Sequence, residues 1–175
     1  MKAKWQAQMD AAFESYFAMS AALQEDVEAI LRIDDDSQSY RRNFIRAACS
    51  LIEGYGHCFR TICAIGLETG PGRLSEKEVT ALKDERSFGS ADRTRLTLRA
   101  AFRMLELPRS PQFGDPGWSK AKALLRKRDA LMHPKSAEDL VVSDASWSDI
   151  FEGAQWLFAQ LFSFIEQLAT KHGKY

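Results

Sequence analysis

Three side chains capable of joint chemistry lie within six residues of one another in the segment Lys120–Pro134, K-A-K-A-L-L-R-K-R-D-A-L-M-H-P. The imidazole of His133 can transfer protons near neutral pH. The guanidinium of Arg128 is a planar fork of donors that suits a phosphate. The carboxylate of Asp129 can orient the imidazole through a hydrogen bond. The segment therefore combines a proton-transfer group, its orienting carboxylate and an anion clamp.

These groups are the ones that cleavage of RNA without a metal ion requires. A base removes the proton of the ribose 2′-hydroxyl, the oxygen attacks the adjacent phosphorus, and an acid protonates the departing 5′-oxygen. Arginine stabilises the charged intermediate. One histidine supplies the base or the acid at a given step but not both, so two copies of the motif facing one cleft would complete the site. We therefore expect RNA as the substrate, a homodimer, no metal and no cofactor.

The helix that carries these residues has clear boundaries in the sequence. Asp115 and Pro116 match the N-cap and first position of a helix. Pro134 disfavours the α conformation of the residue before it, which predicts a helix end at Met132 or His133. The imidazole then lies at the negative end of the helix dipole, which favours its protonated form. Asp129 lies one turn earlier on the same face, and we expect it to accept a hydrogen bond from the imidazole.

Further basic residues are candidate phosphate contacts. Arg126, Lys127 and Lys135 flank the motif. On the preceding predicted helix, basic residues recur every four positions with no acid between residues 93 and 103. Two interpretations stay open for this second group: a ridge that binds RNA phosphates, or a solvated face that pairs with acids on a neighbouring helix. Its members are Arg95, Arg99 and Arg103.

Helical spacing of apolar residues recurs along the chain. It predicts helices over about 7–32, 37–67, 75–86, 90–107, 116–133 and 146–171, with a turn at 68–74 and a loop over 108–117. Ser75 and Glu78 form a capping box, and Ser90 or Asp92 is expected to cap the fourth helix. The prediction is one all-α domain over residues 1–175, a bundle of four to six helices.

The last helix has an apolar face broader than one core contact requires, because Trp156 and Phe164 extend it. The excess predicts a second contact surface, such as a dimer interface. In the second helix, Gly54 and Gly56 are candidates for a close helix crossing. Cys49, Cys58 and Cys63 lie within the same helical pattern and are expected to be reduced core thiols, not a disulfide framework or a metal site.

Composition excludes few functions, since 24 basic residues balance 24 acidic ones. The charges are unevenly distributed along the chain: residues 10–36 are acidic, whereas 93–103 and 120–128 are basic. A local basic face can bind phosphate even on a protein without net charge. No apolar run is long enough to span a membrane, and the N-terminus lacks the apolar core of a signal peptide. We expect a cytoplasmic protein without a membrane partner.

The segment R-D-A-L-M-H resembles the R-x(4–6)-H motif of the HEPN superfamily, with an arginine, a polar residue and a histidine at a helix end. The resemblance implies a helical, usually dimeric domain, and many such domains are metal-independent endoribonucleases of toxin–antitoxin or phage-defence systems. It assigns Arg128 and His133 as the catalytic pair and Asp129 as the polar residue beside the arginine. An antitoxin or other regulatory protein is then an expected partner. A subgroup has a tyrosine two residues after the histidine, where this chain has Lys135.

Two alternatives remain beside the nuclease. Several HEPN-like domains bind or scaffold without cleaving, so the chain is alternatively a non-catalytic RNA- or nucleotide-binding module, or a helical protein-interaction module. In either case His133 is a helix C-cap whose imidazole satisfies free backbone carbonyls, with Asp129 as an ordinary partner one turn away.

Overall fold

A computed structural model describes the backbone of residues 2–68, 74–83 and 87–172, and the side chains within residues 7–68, 74–83 and 87–171. Over these residues the chain forms six α-helices, one short 3₁₀ helix and no β-strand, which confirms the all-α prediction. The helices are α1 (Lys2–Leu31), α2 (Gln38–Leu67), α3 (Glu76–Lys83), α4 (Ser90–Met104), α5 (Pro116–Met132) and α6 (Asp144–His172), and the 3₁₀ helix is Glu138–Leu140.

The residues cluster into two compact units. Unit 1 comprises residues 1–19, 54–111 and 160–175, and unit 2 comprises residues 20–53 and 112–159. Helices α1, α2 and α6 contribute residues to both units, α3 and α4 belong to unit 1, and α5 belongs to unit 2. The candidate catalytic motif therefore lies within unit 2.

Aromatic rings fill the interior of unit 1. Phe164 is fully buried, and its ring centroid lies 4.1 Å from that of Phe59 and 5.3 Å from that of Phe102. Tyr16 and Tyr55 meet edge to face with centroids 4.7 Å apart. Contacts of this kind add to the hydrophobic stabilisation of the buried area itself. Phe164, which extends the apolar face of the last helix in the sequence, is therefore buried in the core of unit 1.

Unit 2 has a second aromatic cluster around α5 and α6. Trp156 contacts Trp118 at a centroid distance of 5.9 Å and Phe113 at 6.0 Å. Trp156 also packs against Gly117, where a Cβ would overlap the indole ring. Trp156 therefore has partners within the chain, as Phe164 does, although Trp156 remains partly exposed.

The connection between α5 and α6 is held to the start of α2 by polar side chains. The amide of Gln38 donates to the carbonyl of Val142 and accepts from its N–H. Arg41 is buried and forms ion pairs of 2.6 Å with both Asp36 and Asp144. Arg42 donates to the carbonyl of Leu140. These bonds satisfy backbone groups of an irregular segment that has no helix or sheet partner.

Three helix ends test the sequence predictions directly. The Ser75 hydroxyl accepts from the Glu78 N–H while the Glu78 carboxylate accepts from the Ser75 N–H, which confirms the capping box. Asp115 is the N-cap of α5 with Pro116 at the first helical position, as predicted. The predicted cap of α4 is wrong: Gly89 is the N-cap, and Ser90 is already helical. Most of the predicted turn at 68–74, and the predicted end of the third helix near Arg86, lie outside the described residues.

Helix α4 ends at Met104, earlier than the predicted Leu107, because the backbone reverses there. Glu106 has a φ of 48°. Its N–H donates to the carbonyl of Arg103, and the Leu107 N–H donates to that of Phe102. This pair of bonds is the Schellman arrangement, whose left-handed position is normally glycine.

Glu106→Gly should raise the free energy of unfolding by about 0.5–1 kcal/mol, because glycine adopts a positive φ without the steric cost that other residues bear. Urea unfolding measures the change. Glu106→Ala is the matched control: it also removes the exposed Glu106–Lys171 pair of 4.0 Å but keeps a Cβ at the strained position. Equal stabilisation by both variants would contradict the backbone explanation.

Helices α5 and α6 touch backbone to backbone at Gly153. A Cβ placed there would overlap the carbonyl group of Lys120 and approach the N–H nitrogen of Ala121. Gly56, one of the two glycines proposed for a close crossing, has only an ordinary contact with the side chain of Arg60. The close helix contact of unit 2 is therefore made by a glycine that the sequence pattern did not single out.

Gly153→Ala should lower the free energy of unfolding by about 1–3 kcal/mol, since the added methyl group meets rigid backbone and forces the two helices apart. Thermal and urea unfolding test this. Gly114→Ala is the control, because no atom lies within 4 Å of its added Cβ, and it should change stability by less than about 0.5 kcal/mol. Comparable losses in the two variants would show that the contact is not the cause.

Candidate active site at the end of α5

Helix α5 packs its apolar face against the rest of unit 2 and has a charged face on the opposite side. Its fully buried residues recur at helical spacing: Trp118, Ala121, Leu124, Leu125 and Leu131. Arg126 is exposed, whereas Lys127, Arg128 and Asp129 are half-buried. Burial of the apolar face thus fixes the rotation of α5 and turns the motif outwards.

The guanidinium of Arg128 is engaged by two carboxylates. Its Nη2 atom lies 2.6 Å from Oε1 of Glu53 on α2, and its Nη1 atom lies 3.2 Å from Oδ1 of Asp129. Arg128 is 22% exposed and Glu53 is 42% exposed, so solvent reaches the pair. The three side chains comprise one cation and two anions, and the cluster therefore has a formal negative charge. We refer to Arg128, Glu53 and Asp129 as the arginine cluster.

A buried thiol lies close to the arginine cluster. Cys49 precedes Glu53 by one turn of α2 and is 1% exposed. Burial raises the pKa of the Cys49 thiol well above its usual range, and the negative charge of Glu53 raises it further. The thiol is therefore neutral and serves packing, and it is not a nucleophile. Cys58 and Cys63 are likewise buried and unpaired, as the sequence predicts.

His133 is the C-cap of α5, and the helix ends at Met132 as Pro134 predicts. Its backbone N–H donates to the carbonyl of Asp129 at 3.1 Å. The imidazole is exposed and makes no hydrogen bond to any residue that the structure describes. The expected bond from the imidazole to Asp129 is therefore wrong, since Oδ1 of that carboxylate turns to Arg128 instead.

Asp139 organises the loop that follows His133. Its carboxylate accepts from the N–H groups of Lys135 at 2.8 Å and Ser136 at 3.1 Å. These bonds hold the pKa of Asp139 below its usual range, with the Lys135 N–H as the larger cause. The Asp139 carbonyl accepts from Nζ of Lys127 at 2.8 Å. Lys127 is thus tied to the loop, whereas the side chains of Arg126 and Lys135 are exposed.

The basic residues of α4 lie in unit 1, apart in the chain from the arginine cluster. Arg103 donates to Oε2 of Glu78 at 3.0 Å, and Nε of Arg99 lies 3.7 Å from Oε1 of the same carboxylate. Arg95 pairs with Asp92 at 2.9 Å. Glu78 is 1% exposed, so α3 supplies a buried acid to two arginines. These contacts favour the interpretation in which the basic face pairs with acids on a neighbouring helix.

The sequence analysis did not single out Glu53, and it identified Glu78 only as a capping residue. The capping box revealed the local role of Glu78 but not its arginine partners on α4. For Glu53 the sequence contains no comparable signal, because its partner Arg128 lies far along the chain. Buried Arg41, whose partner Asp144 is also distant in sequence, was not predicted either.

Within residues 2–68, 74–83 and 87–172, no group of three or more His, Cys, Asp or Glu side chains is placed to hold a metal ion. No helix in the same ranges is long and apolar enough to cross a membrane. Comparison of the chain with protein-family models, curated proteins and solved structures gave no match.

Glu78→Ala should lower the free energy of unfolding by about 2–3 kcal/mol, because it removes charged hydrogen bonds to Arg103 and Ser75 and leaves a buried space. Denaturant unfolding provides the measurement. Glu76→Ala, an exposed acid in the same helix, should change stability by less than about 0.5 kcal/mol. Equal losses from the two substitutions would mean that the pairing of Glu78 with the α4 arginines does not stabilise the fold.

Proposed function

We propose that the protein is a metal-independent endoribonuclease whose catalytic groups are Arg128 and His133. The observation that carries the proposal is the state of His133: its imidazole is exposed at a helix end with no hydrogen-bond partner among the described residues. A histidine that served only to cap α5 would direct its ring to the free carbonyls of the last turn. An imidazole left accessible is instead available to exchange protons with a substrate.

The neighbouring charges support an anionic substrate. Exposed Arg126 and Lys135 lie near the same end of α5, and Arg128 retains donors beyond the two bonds it makes to carboxylates. Arginine binds a phosphodiester through several N–H groups at once. In the proposed reaction, His133 removes the 2′-hydroxyl proton or protonates the 5′-oxygen, and Arg128 stabilises the charge that develops on phosphorus oxygens.

The separation of the two catalytic groups supports a site that is shared by two copies. Arg128 lies in the last turns of α5 and pairs with Glu53 and Asp129, whereas His133 is the C-cap of the helix and its imidazole is exposed. A homodimer with these helix ends facing each other would supply two imidazoles, one as base and one as acid. Toxin-like activity, with an antitoxin or another regulatory protein as partner, belongs to the same proposal.

His133→Ala should slow the cleavage of a mixed tRNA and mRNA pool in EDTA by about 10²–10⁴-fold, the usual contribution of general acid–base catalysis. Products of the parent should carry 2′,3′-cyclic phosphate ends. His57→Ala is the matched control, because His57 is an exposed histidine on α2 that is not one of the proposed catalytic groups, and it should cleave at the parental rate.

Equal cleavage by His133→Ala and the parent would reject the catalytic assignment. A parent that is monomeric while it cleaves would reject the two-copy site. Salt-sensitive RNA binding without cleavage would instead favour the non-catalytic RNA-binding module. The α4 arginines favour that second function less, because Glu78 already engages two of them.

A further inference from the structure

The carboxylate of Glu53 contacts the guanidinium of Arg128, which the proposed reaction needs for binding its substrate. Its Oε1 atom is 2.6 Å from Nη2 of Arg128, closer than the 3.2 Å between Asp129 and Nη1. Glu53 comes from α2, a different helix from Arg128, so the pair also ties the end of α5 to α2. The contact is short, and it lies in a region that solvent reaches.

A carboxylate and a phosphodiester compete for the same donors. Both accept hydrogen bonds from guanidinium nitrogens in one plane, and a bidentate partner uses either the two Nη atoms or Nε with one Nη. In the structure each Nη atom of Arg128 already lies against a carboxylate oxygen. Every bidentate arrangement with RNA therefore uses at least one nitrogen that is in contact with an acid, so a phosphate competes with a carboxylate for the guanidinium.

Glu53 is the carboxylate better suited to exchange. Asp129 is adjacent to Arg128 on the same helix, so its carboxylate stays close to the guanidinium when their contact opens. Glu53 (42% exposed) and Asp129 (45% exposed) are equally open to solvent, but Glu53 lies on a different helix and has the longer side chain, so it can move away from Arg128 into water. Ion pairs with this degree of exposure contribute only about 0.2–1 kcal/mol, so a phosphate with further basic contacts can replace one.

We propose that Glu53 is a positioning residue for RNA: its carboxylate holds Arg128 in the free protein and yields the guanidinium to a phosphodiester of the bound strand. This inference rests on the proposed function. With Glu53 in place the arginine cluster is negative, and an anion that offers a single weak contact is disfavoured. A strand that also reaches Arg126 and Lys135 gains enough to displace the carboxylate. Glu53 thus selects a polynucleotide over a small anion.

The test measures affinity for an RNA oligonucleotide with 2′-O-methyl groups throughout, which cannot be cleaved through a 2′-hydroxyl. Glu53→Gln keeps an oxygen acceptor for Arg128 but removes the charge. It should bind the oligonucleotide roughly two- to fivefold more tightly than the parent at low salt, the scale of one exposed ion pair. The gain should shrink as salt screens the charges. Loss of a purely structural contact would weaken binding and would not tighten it.

Glu152→Gln is the matched control. Glu152 forms an ion pair of 2.6 Å with Lys120 in the same unit and is 50% exposed, so this variant changes the net charge of the protein equally without touching Arg128. It should bind like the parent. In the double variant Arg128→Ala with Glu53→Gln, the gain relative to Arg128→Ala alone should disappear. Thermal unfolding of each variant identifies any that has lost its fold.

Unchanged or weaker binding by folded Glu53→Gln would overturn the role of Glu53, as would an equal gain in Glu152→Gln. Failure of the proposed function is detected in a different assay, since the parent would then leave unmodified RNA uncleaved. If the parent cleaves, Glu53→Gln should also lower KM for unmodified RNA by a similar factor. An unchanged KM beside normal cleavage would overturn the positioning role alone.

Discussion

Unit 2 depends on the backbone contact between α5 and α6 at Gly153. Because a Cβ there would overlap the Lys120 carbonyl, only glycine permits the two helices to approach this closely. The contact, together with packing of Trp156 against Gly117, fixes the position and rotation of α5. The rotation determines which of its side chains are buried, and consequently that Leu131 is in the core while the side chain of Arg128 reaches solvent. A glycine several turns from the motif therefore controls where the motif points.

The second constraint is that several arginines of this chain already form ion pairs with acidic residues within the chain. Arg41 pairs with Asp36 and Asp144, Arg103 with Glu78, and Arg128 with Glu53. Such pairs satisfy donors that are partly removed from water, where an unpaired charge is costly. Clusters of arginine in the sequence therefore overstate the positive surface that remains accessible to an anionic ligand. The accessible basic side chains near the end of α5 are those without such tethers, Arg126 and Lys135.

Local patterns in the sequence predicted the local structure well. Apolar spacing located the helices, Ser75 and Glu78 defined a capping box, and Pro134 set the end of α5, because each of these signals acts within a few residues of its cause. The early end of α4 was missed, since Glu106 occupies a left-handed position that favours glycine. Long-range pairing was missed as well: nothing near Glu53 indicates Arg128, and nothing near Trp156 indicates Phe113. The expected Asp129–His133 bond failed because a guanidinium on the adjacent residue competed for the carboxylate.

That competition changes how the candidate site is understood. In the sequence, Arg128, Asp129 and His133 form one unit in which the acid orients the base. In the structure the acid belongs with Glu53 around the guanidinium, and the imidazole is separate and exposed. A catalytic role for His133 then requires that substrate, or a second copy of the chain, supply the orientation that Asp129 does not. Arg128 has the opposite requirement in the proposed reaction. Glu53 and Asp129 already orient its guanidinium, and a carboxylate must move away before the guanidinium can bind a phosphate. In the proposed function, a bound polynucleotide would meet both requirements at once, because its phosphate would replace Glu53 while its ribose hydroxyl engaged the imidazole.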